Sequence, residues 1–384
     1  MPKKTNLILK VLLSLYLCCM SYYLYTHQYY NVDIEAYMGL LYKAEYPEMK
    51  IEEIHKKVFA ELDEKRPGMF ESDLSHEETA KGENTYYKTI SEDPKIFEEE
   101  LQLFSVKPFY NFVNLLFFKA GFAASTSTFL ISILSYALIL WFVFLFLSKI
   151  LNNHQLAFLL TLLLSLFKPL LESSRHASPD SLSCLLLLLS FYVFIIKRDL
   201  LIATIFAMLC ILTRPEYFIF YSFIYILIFI QRKKIEIKNH ELAISFVYLF
   251  LSFAVVQYFN QISWSTLFMN QFTKVQLYPI SNPDPFNLQD YLHFITSKIL
   301  FEFNSSYFLL LLIFITVIVY NKFSFHKKNY VPYLFFGVIY LSIFLRFFIF
   351  PTMVNRMMIG YYLIIILGLI YIQSSKEDLF KKLS

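Results

Sequence analysis

The sequence predicts an all-α polytopic membrane protein, a bundle of about ten transmembrane helices with one large loop directly after the first. Three observations carry this expectation. Of the 384 residues, 57% are hydrophobic and 19% aromatic, and the formal net charge is only +4. Many stretches are apolar on every face for about 18 residues or more, long enough to cross a bilayer as a helix. These runs do not alternate over about ten residues as barrel strands would, so a helical bundle is the form that satisfies the backbone in lipid.

The first element is a helix over 7–25, preceded by Lys3 and Lys4 and with Lys10 near its start. The run carries Tyr22, Tyr23 and Tyr25 and no small-residue cleavage signal, so it reads as a retained helix rather than a signal peptide. A polar stretch over 26–106 follows, holding about two thirds of all Asp and Glu in the chain. Helices are expected within it over 51–62 and 94–103, with breaks at Pro67-Gly68 and Gly82. The segment 108–118 reads as a short helix lying at the membrane surface.

The remaining apolar runs are 124–148, 155–171, 181–196, 200–213, 216–230, 242–262, 304–320, 330–350 and 357–373. A second polar segment, 263–303, carries Pro283-Asp284-Pro285 and a surface helix expected over 287–300. The organisation is therefore a first transmembrane helix (1–25), an acidic extracytoplasmic loop with short helices (26–106), an interfacial helix with the central spans (107–262), a second extracytoplasmic loop (263–303), and C-terminal spans with a cytoplasmic tail (304–384).

Orientation follows from the basic residues. With the N-terminus in the cytoplasm, the cytoplasmic connections carry Lys149, Lys197, Arg198, Arg232, Lys233, Lys234, Lys238, Lys322, Lys327 and Lys328, and the tail carries Lys376, Lys381 and Lys382. Short connections on the other side carry almost no lysine. Both termini are then cytoplasmic, in a multi-pass protein of the cytoplasmic (inner) membrane, and the large acidic loop faces outward.

Composition also excludes classes of function. The chain has seven glycines and no Walker or Gly-x-Gly-x-x-Gly loop, so no phosphate-cradling nucleotide site is visible. Cys18, Cys19, Cys184 and Cys210 fall inside apolar runs without metal-ligand spacing and read as small buried hydrophobes. The eight histidines are scattered, and His76-Glu77-Glu78 lacks the second histidine of a zinc-protease motif. No nucleic-acid partner is indicated; the expected surroundings are a lipid bilayer.

Four arginines run against the positive-inside trend. Arg175, Arg214, Arg346 and Arg356 map to the outward ends of helices. Each alone reads as a side chain snorkelling to headgroups. Together they make the outward basic pocket that a phosphate-bearing lipid requires, because guanidinium pairs with phosphate oxygens through two parallel hydrogen bonds. Asp33 and Glu35 lie just beyond the first helix at the same surface; extended backbone puts both on one face, and helical backbone makes them diverge. Asp180 after Pro179 also suits a helix N-terminus, and Glu216 is a further outward carboxylate. His176, beside Arg175, stands either at a phosphate or in a solvated loop.

These positions resemble the GT-C class of glycosyltransferases, and most closely the bacterial relatives of the protein O-mannosyltransferases and the aminoarabinose lipid A transferases. The likeness rests on Asp33-Ile34-Glu35 followed by Tyr37 after the first helix, on the proline-aromatic stretch that starts at Lys107, on Thr213-Arg214-Pro215-Glu216, and on Phe350-Pro351, Arg356 and Tyr361-Tyr362 near the C-terminus. The acidic motif is spaced Asp-x-Glu rather than as an adjacent pair.

The resemblance implies a GT-C-like bundle and a polyprenyl-phosphate-linked sugar donor used outside the cytoplasmic membrane, with a glycan, lipid or protein hydroxyl as acceptor. It implies Asp33 as the base, with Glu35 as second candidate. Arg214 and Arg356, then Arg175, Arg346 and His176, would meet the donor phosphate, and Asp180, Glu216, Lys107 and Tyr37 complete the polar set. No cofactor is required by this reading, and use of a divalent metal is left open. Three alternatives stand beside it: a flippase or transporter of lipid-linked saccharide, a polymerase or ligase of such saccharides, and a structural membrane protein with a sensory loop.

Overall fold

The computed structural model describes residues 3–31, 33–68, 88–260, 262–272, 276–322 and 331–374. The expected break at Gly82, the His76-Glu77-Glu78 segment and the lysines 327, 328, 376, 381 and 382, expected to be cytoplasmic, lie outside the described residues. The protein is an all-α membrane protein with no strand among the described residues; one isolated parallel bridge joins Tyr29 and His176.

Four helices are long and apolar enough to cross a membrane: α1 (Lys3–Thr26), α6 (Ala124–Leu151), α9 (Asp180–Tyr192) with the π-turn Val193–Lys197, and α12 (Asn239–Phe259). Two bent pairs raise the number to six if each is one span: α7 (His154–Ser165) with α8 (Lys168–Arg175), bent by 59°, and α14 (Leu288–Ser305) with α15 (Phe308–Lys322), bent by 65°. α10 (Leu200–Thr213), α16 (Val331–Ile349) and α17 (Ile359–Ser374) are shorter apolar helices, and α11 (Tyr217–Ile235) ends in Arg232, Lys233 and Lys234. The expected straight span over 155–171 is thus a broken one. Pro169 lacks an N–H and sits in the first turn of α8, so α7 stops at Ser165 and a new helix begins after Phe167. The surface helix expected over 287–300 continues to Ser305, and a further short helix, α13 (Trp264–Phe272), occupies the second polar segment.

α9 is the centre of the bundle: it is buried almost throughout and packs on α6, α10 and α17. α9 and α10 run antiparallel, since Cys210 Sγ donates to the Ser183 carbonyl at 3.4 Å and Ser190 Oγ to the Ala203 carbonyl at 3.0 Å. α1 lies on the outside. Leu13, Leu17 and Leu24 face the bundle, whereas Leu7, Val11, Leu15 and Tyr22 are exposed, the surface expected against lipid. Cys184 and Cys210 are buried as expected; Cys18 and Cys19 are exposed, because the strip of α1 that meets the bundle is narrow.

The acidic segment builds a helical cap with its own core. α2 (Ile34–Glu45), α3 (Ile51–Lys65) and α4 (Pro94–Ser105) pack together through Met38, Leu41, Ile54, Leu62, Phe97 and Leu101. α5 (Pro108–Lys119) then runs beneath the cap with Tyr110 and Asn114 buried and Phe112 and Leu116 exposed. The cap is fastened at polar points. Glu61 accepts from the Ser125 N–H at 2.8 Å, which satisfies one of the open donors at the start of α6. Glu99 accepts from the Ile280 N–H at 2.7 Å and ties α4 to the second polar segment.

Candidate active site

A cavity of about 730 Å³ opens where the cap meets one end of the bundle. Its polar wall comes from the ends of several helices and from α4. Asp33 caps α2 without bonding its first turn, so its carboxylate is free to reach the cavity. Asp180 opens α9, Arg214 closes α10, and Glu216 stands at the start of α11. Arg356 lies in the turn before α17, Lys107 stands at the cap of α5, and Glu100 comes from α4. The remaining wall is apolar and aromatic, including Phe104, Phe218, Phe253, Trp264, Phe268 and Phe350.

Asp180 is the hub. Its side chain is fully buried, and it accepts hydrogen bonds from Ser178 Oγ at 3.0 Å, from Arg356 Nη1 at 3.1 Å and from Arg214 Nη1. Arg214 also donates to Glu216 through Nε at 2.7 Å and through Nη2 at 2.6 Å. Arg346, buried at the end of α16, approaches the same Glu216 oxygen at 3.6 Å, donates to the Thr352 carbonyl at 2.8 Å and lies over the Phe350 ring. Burial pushes the Glu216 carboxyl up, but Arg214 and Arg346 outweigh it and hold it low, at about 2. Arg356 spans the cluster, because its Nη2 reaches Asp33 at 3.5 Å. Asn31 Nδ2 fixes the same Asp33 oxygen at 2.6 Å. Asp33 and Arg356 keep side-chain exposures of 30% and 17%, which makes them the members of this ion-pair chain open to an incoming ligand together with Glu216.

The open basic pocket expected from the sequence is therefore a balanced network. Arg214 and Arg356 are paired with carboxylates, because a guanidinium held near hydrocarbon is costly unless its charge is compensated. Lys107 donates to the Tyr37 hydroxyl at 2.7 Å and lies over the Phe104 ring; burial lowers its pKa to about 8. Burial also raises the Tyr37 hydroxyl well above the usual phenol value.

Four expected residues stand outside the cavity wall: Glu35, Arg175, His176 and Arg346, the last fully buried against Glu216. Asp33 and Glu35 do not share a face, because helix α2 begins at Ile34 and turns Glu35 into the cap. Glu35 is fully buried with no hydrogen-bond partner on either carboxylate oxygen, and burial, then Glu100, raise its pKa well above the ordinary range. Arg175 is outside the cavity wall and secures the chain after α1, with Nε donating to the His27 carbonyl at 2.6 Å. His176 also stands outside that wall. Its Nδ1 donates to the Glu172 carbonyl at 2.6 Å, and burial, aided by Arg356, lowers its pKa to about 4. Neutral imidazole in that tautomer offers Nε2 only as an acceptor, which does not suit a phosphate oxygen.

Glu100 escaped the sequence reading. It is the third acid of Glu98-Glu99-Glu100 and looked like part of a solvated run. Its spacing carried the signal: Phe97, Leu101 and Phe104 lie three, one and four residues away, so Glu100 sits on the apolar face of α4. Burial, then Asp33, raise its carboxyl to about 8, and its Oε2 has no hydrogen-bond partner.

Among the described residues no group of three or more His, Cys, Asp or Glu is arranged to hold a metal ion. What the site offers chemically is a carboxylate at an apolar boundary beside a cationic side chain. No family model, curated protein or solved structure matches the chain.

Proposed function

We propose that the chain is a GT-C-like membrane glycosyltransferase that moves a sugar from a polyprenyl-phosphate donor to a hydroxyl acceptor. The observation that supports it best is the pairing of Asp33 with Arg356 on the rim of a cavity whose other walls are aromatic and aliphatic. An anionic lipid-linked substrate needs both halves of such a site, with cations for its phosphate and apolar surface for its chain.

In this reading Arg356 and Lys107 face the donor phosphate. The acceptor oxygen attacks the anomeric carbon, Asp33 takes the hydroxyl proton, and the carbon–oxygen bond to the phosphate breaks with its electron pair going to the departing polyprenyl phosphate. The configuration inverts. A positioned base contributes about 10²–10⁴ in rate, and cations aimed at the leaving group add electrostatic stabilisation. Arg214 acts by position: it anchors Asp180, which in turn orients Arg356, and it pairs with Glu216.

The proposed architecture has about ten crossings, counting each bent pair once and including the shorter apolar helices and α11. The basic ends of α6, α9 and α11 face the cytoplasm in it, and the cavity faces outward. The acceptor class remains lipid, glycan or protein. A transporter would hold its charged site near mid-depth, whereas Asp33, Asp180, Arg214 and Arg356 all stand at helix ends.

The test is transfer from a panel of radiolabelled polyprenyl-phosphate sugars to endogenous acceptors in membranes carrying the chain. Asp33→Asn is expected to lose about 10²–10⁴ in rate, and Arg356→Gln to lose activity with it, while Glu35→Gln keeps it. Full activity in Asp33→Asn sinks the mechanism, and no transfer from any donor by the unaltered chain sinks the assignment.

A further inference from the structure

A second cavity, of about 140 Å³, lies at the opposite end of the bundle. Its walls are almost wholly apolar and come from α6, α9, the π-turn after α9, α11, α16 and α17, with Phe146, Leu188, Phe194, Leu227, Phe336 and Tyr371 among them. Apolar cavities of this size stay dry and take apolar guests. The π-turn Val193–Lys197 forms part of the wall, and π-turns concentrate at functional positions.

The rim is strongly basic. The π-turn ends in Lys197 and is followed at once by Arg198, and both are exposed. α11 contributes Arg232, Lys233 and Lys234 just before the wall residue Ile235, and Lys238 follows. These two connections hold six basic residues against the acidic Asp199 and Glu236; Lys238 is paired with Glu241 at 3.8 Å, and Asp199 accepts from the Ile202 N–H at 2.9 Å at the start of α10. Arg198 directly follows the π-turn whose Phe194 and Ile195 line the cavity, which puts it at that end of the wall. Its backbone is left-handed, with φ of 58°, so the chain turns sharply there between the π-turn and α10.

We propose that this cleft binds an anionic phospholipid, with a segment of one acyl chain in the cavity between α9, α11 and α17 and the phosphate on Arg198, supported by Lys197 and Lys233. Charge complementarity selects this occupant. A zwitterionic lipid fills the apolar wall equally well but brings a quaternary ammonium to the basic rim along with its phosphate, whereas an anionic headgroup at the same depth brings net negative charge. The site is separate from the candidate active site and does not depend on the enzymatic reading.

The experiment is native mass spectrometry of the purified full-length chain in neutral detergent, titrated with phosphatidylglycerol or phosphatidylcholine of equal chain length. Phosphatidylglycerol is expected to bind about tenfold tighter, because the choline of phosphatidylcholine offsets the charge of its phosphate and is repelled by the basic rim. Arg198→Asn, whose side chain tolerates the left-handed backbone, is expected to remove most of that preference, and Arg198→Lys to retain it. Leu227→Trp fills the cleft from its wall and is expected to weaken both lipids, with an unchanged elution profile as the folding control. Equal binding of the two lipids overturns the proposal. So does unaltered binding in Leu227→Trp, which would leave only a surface headgroup contact. Lipid uptake that begins only after removal of residues 375–384 also overturns it, by making the chain's own tail the occupant.

Discussion

Glu100 and Glu216 are two carboxyls in one cavity pushed in opposite directions by their surroundings. Glu216 is held at about 2 by Arg214 and Arg346 against burial, so its contribution to stability is present above the ordinary carboxyl value and fades as pH falls toward 2. Glu100 is raised to about 8 by burial and Asp33, so its contribution is full below about 4.5 and is lost as pH rises through 8. Comparing Glu100→Gln with the parent chain by thermal unfolding in detergent isolates this effect. The parent is expected to lose stability relative to the variant between pH 5 and 8, as follows from the linkage of a single raised carboxyl at about one proton; a constant difference across that range rejects the buried acid. Arg214→Gln strips Asp180 and Glu216 of their shared cation and is expected to cost about 3–5 kcal/mol, the range for breaking a buried pair. An unchanged unfolding midpoint would show that the network is not built on Arg214. Four arginines, Asp180 and Glu216 were all visible as outlying charges in apolar sequence. Glu100 was not, because only the face on which α4 packs separates it from Glu98 and Glu99.

At the scale of elements, α2 and α4 pack closely at Gly39. A Cβ at Gly39 would stand 2.6 Å from Leu101 Cδ2 and 2.6 Å from Phe97 Cζ. Gly39→Ala is therefore expected to destabilise the cap by about 1–3 kcal/mol, the usual cost of overpacking, read as earlier proteolysis of the 26–106 segment with the bundle intact. Undiminished protease resistance would mean that the two helices separate freely. Helix positions within this segment were legible: expectations of 51–62 and 94–103 stand beside Ile51–Lys65 and Pro94–Ser105, since Asp93 before Pro94 is a strong start signal and its side chain accepts from Lys95 N–H at 2.8 Å. The break between α7 and α8 was less legible. Pro169 announced it, yet the apolar run over 155–171 continues through the bend, and hydropathy carries no information about helix direction.

At the scale of the whole molecule, the two ends of the bundle are chemically opposite. One carries the ion-pair network beneath the cap, and the other carries Lys149, Lys197, Arg198, Arg232, Lys233 and Lys234. In the proposed topology the positive-inside trend puts the second end in the cytoplasm. Single cysteines replacing Glu98 and Lys233, in a chain with its four native cysteines changed to serine, test this with a membrane-impermeant thiol reagent on intact cells. The cap site is expected to react at once, and the Lys233 site only after permeabilisation; the reverse order would invert the orientation and put the cavity on the cytoplasmic side.

Composition and the length of the apolar runs by themselves determined that this is a helical membrane protein with an acidic segment after its first helix, because burial in lipid constrains every face of a helix and so writes itself into local sequence. Only the tertiary structure decided which charges meet. Asp33 and Arg356 lie 323 positions apart and Asp180 and Arg356 lie 176 apart, and no local pattern encodes a contact at such separation. It also decided that Glu35 turns away from Asp33 and that the arginines are neutralised by carboxylates, because both outcomes follow from how α2, α9, α10 and α16 end at one surface and from the cost of leaving a charge there without a partner.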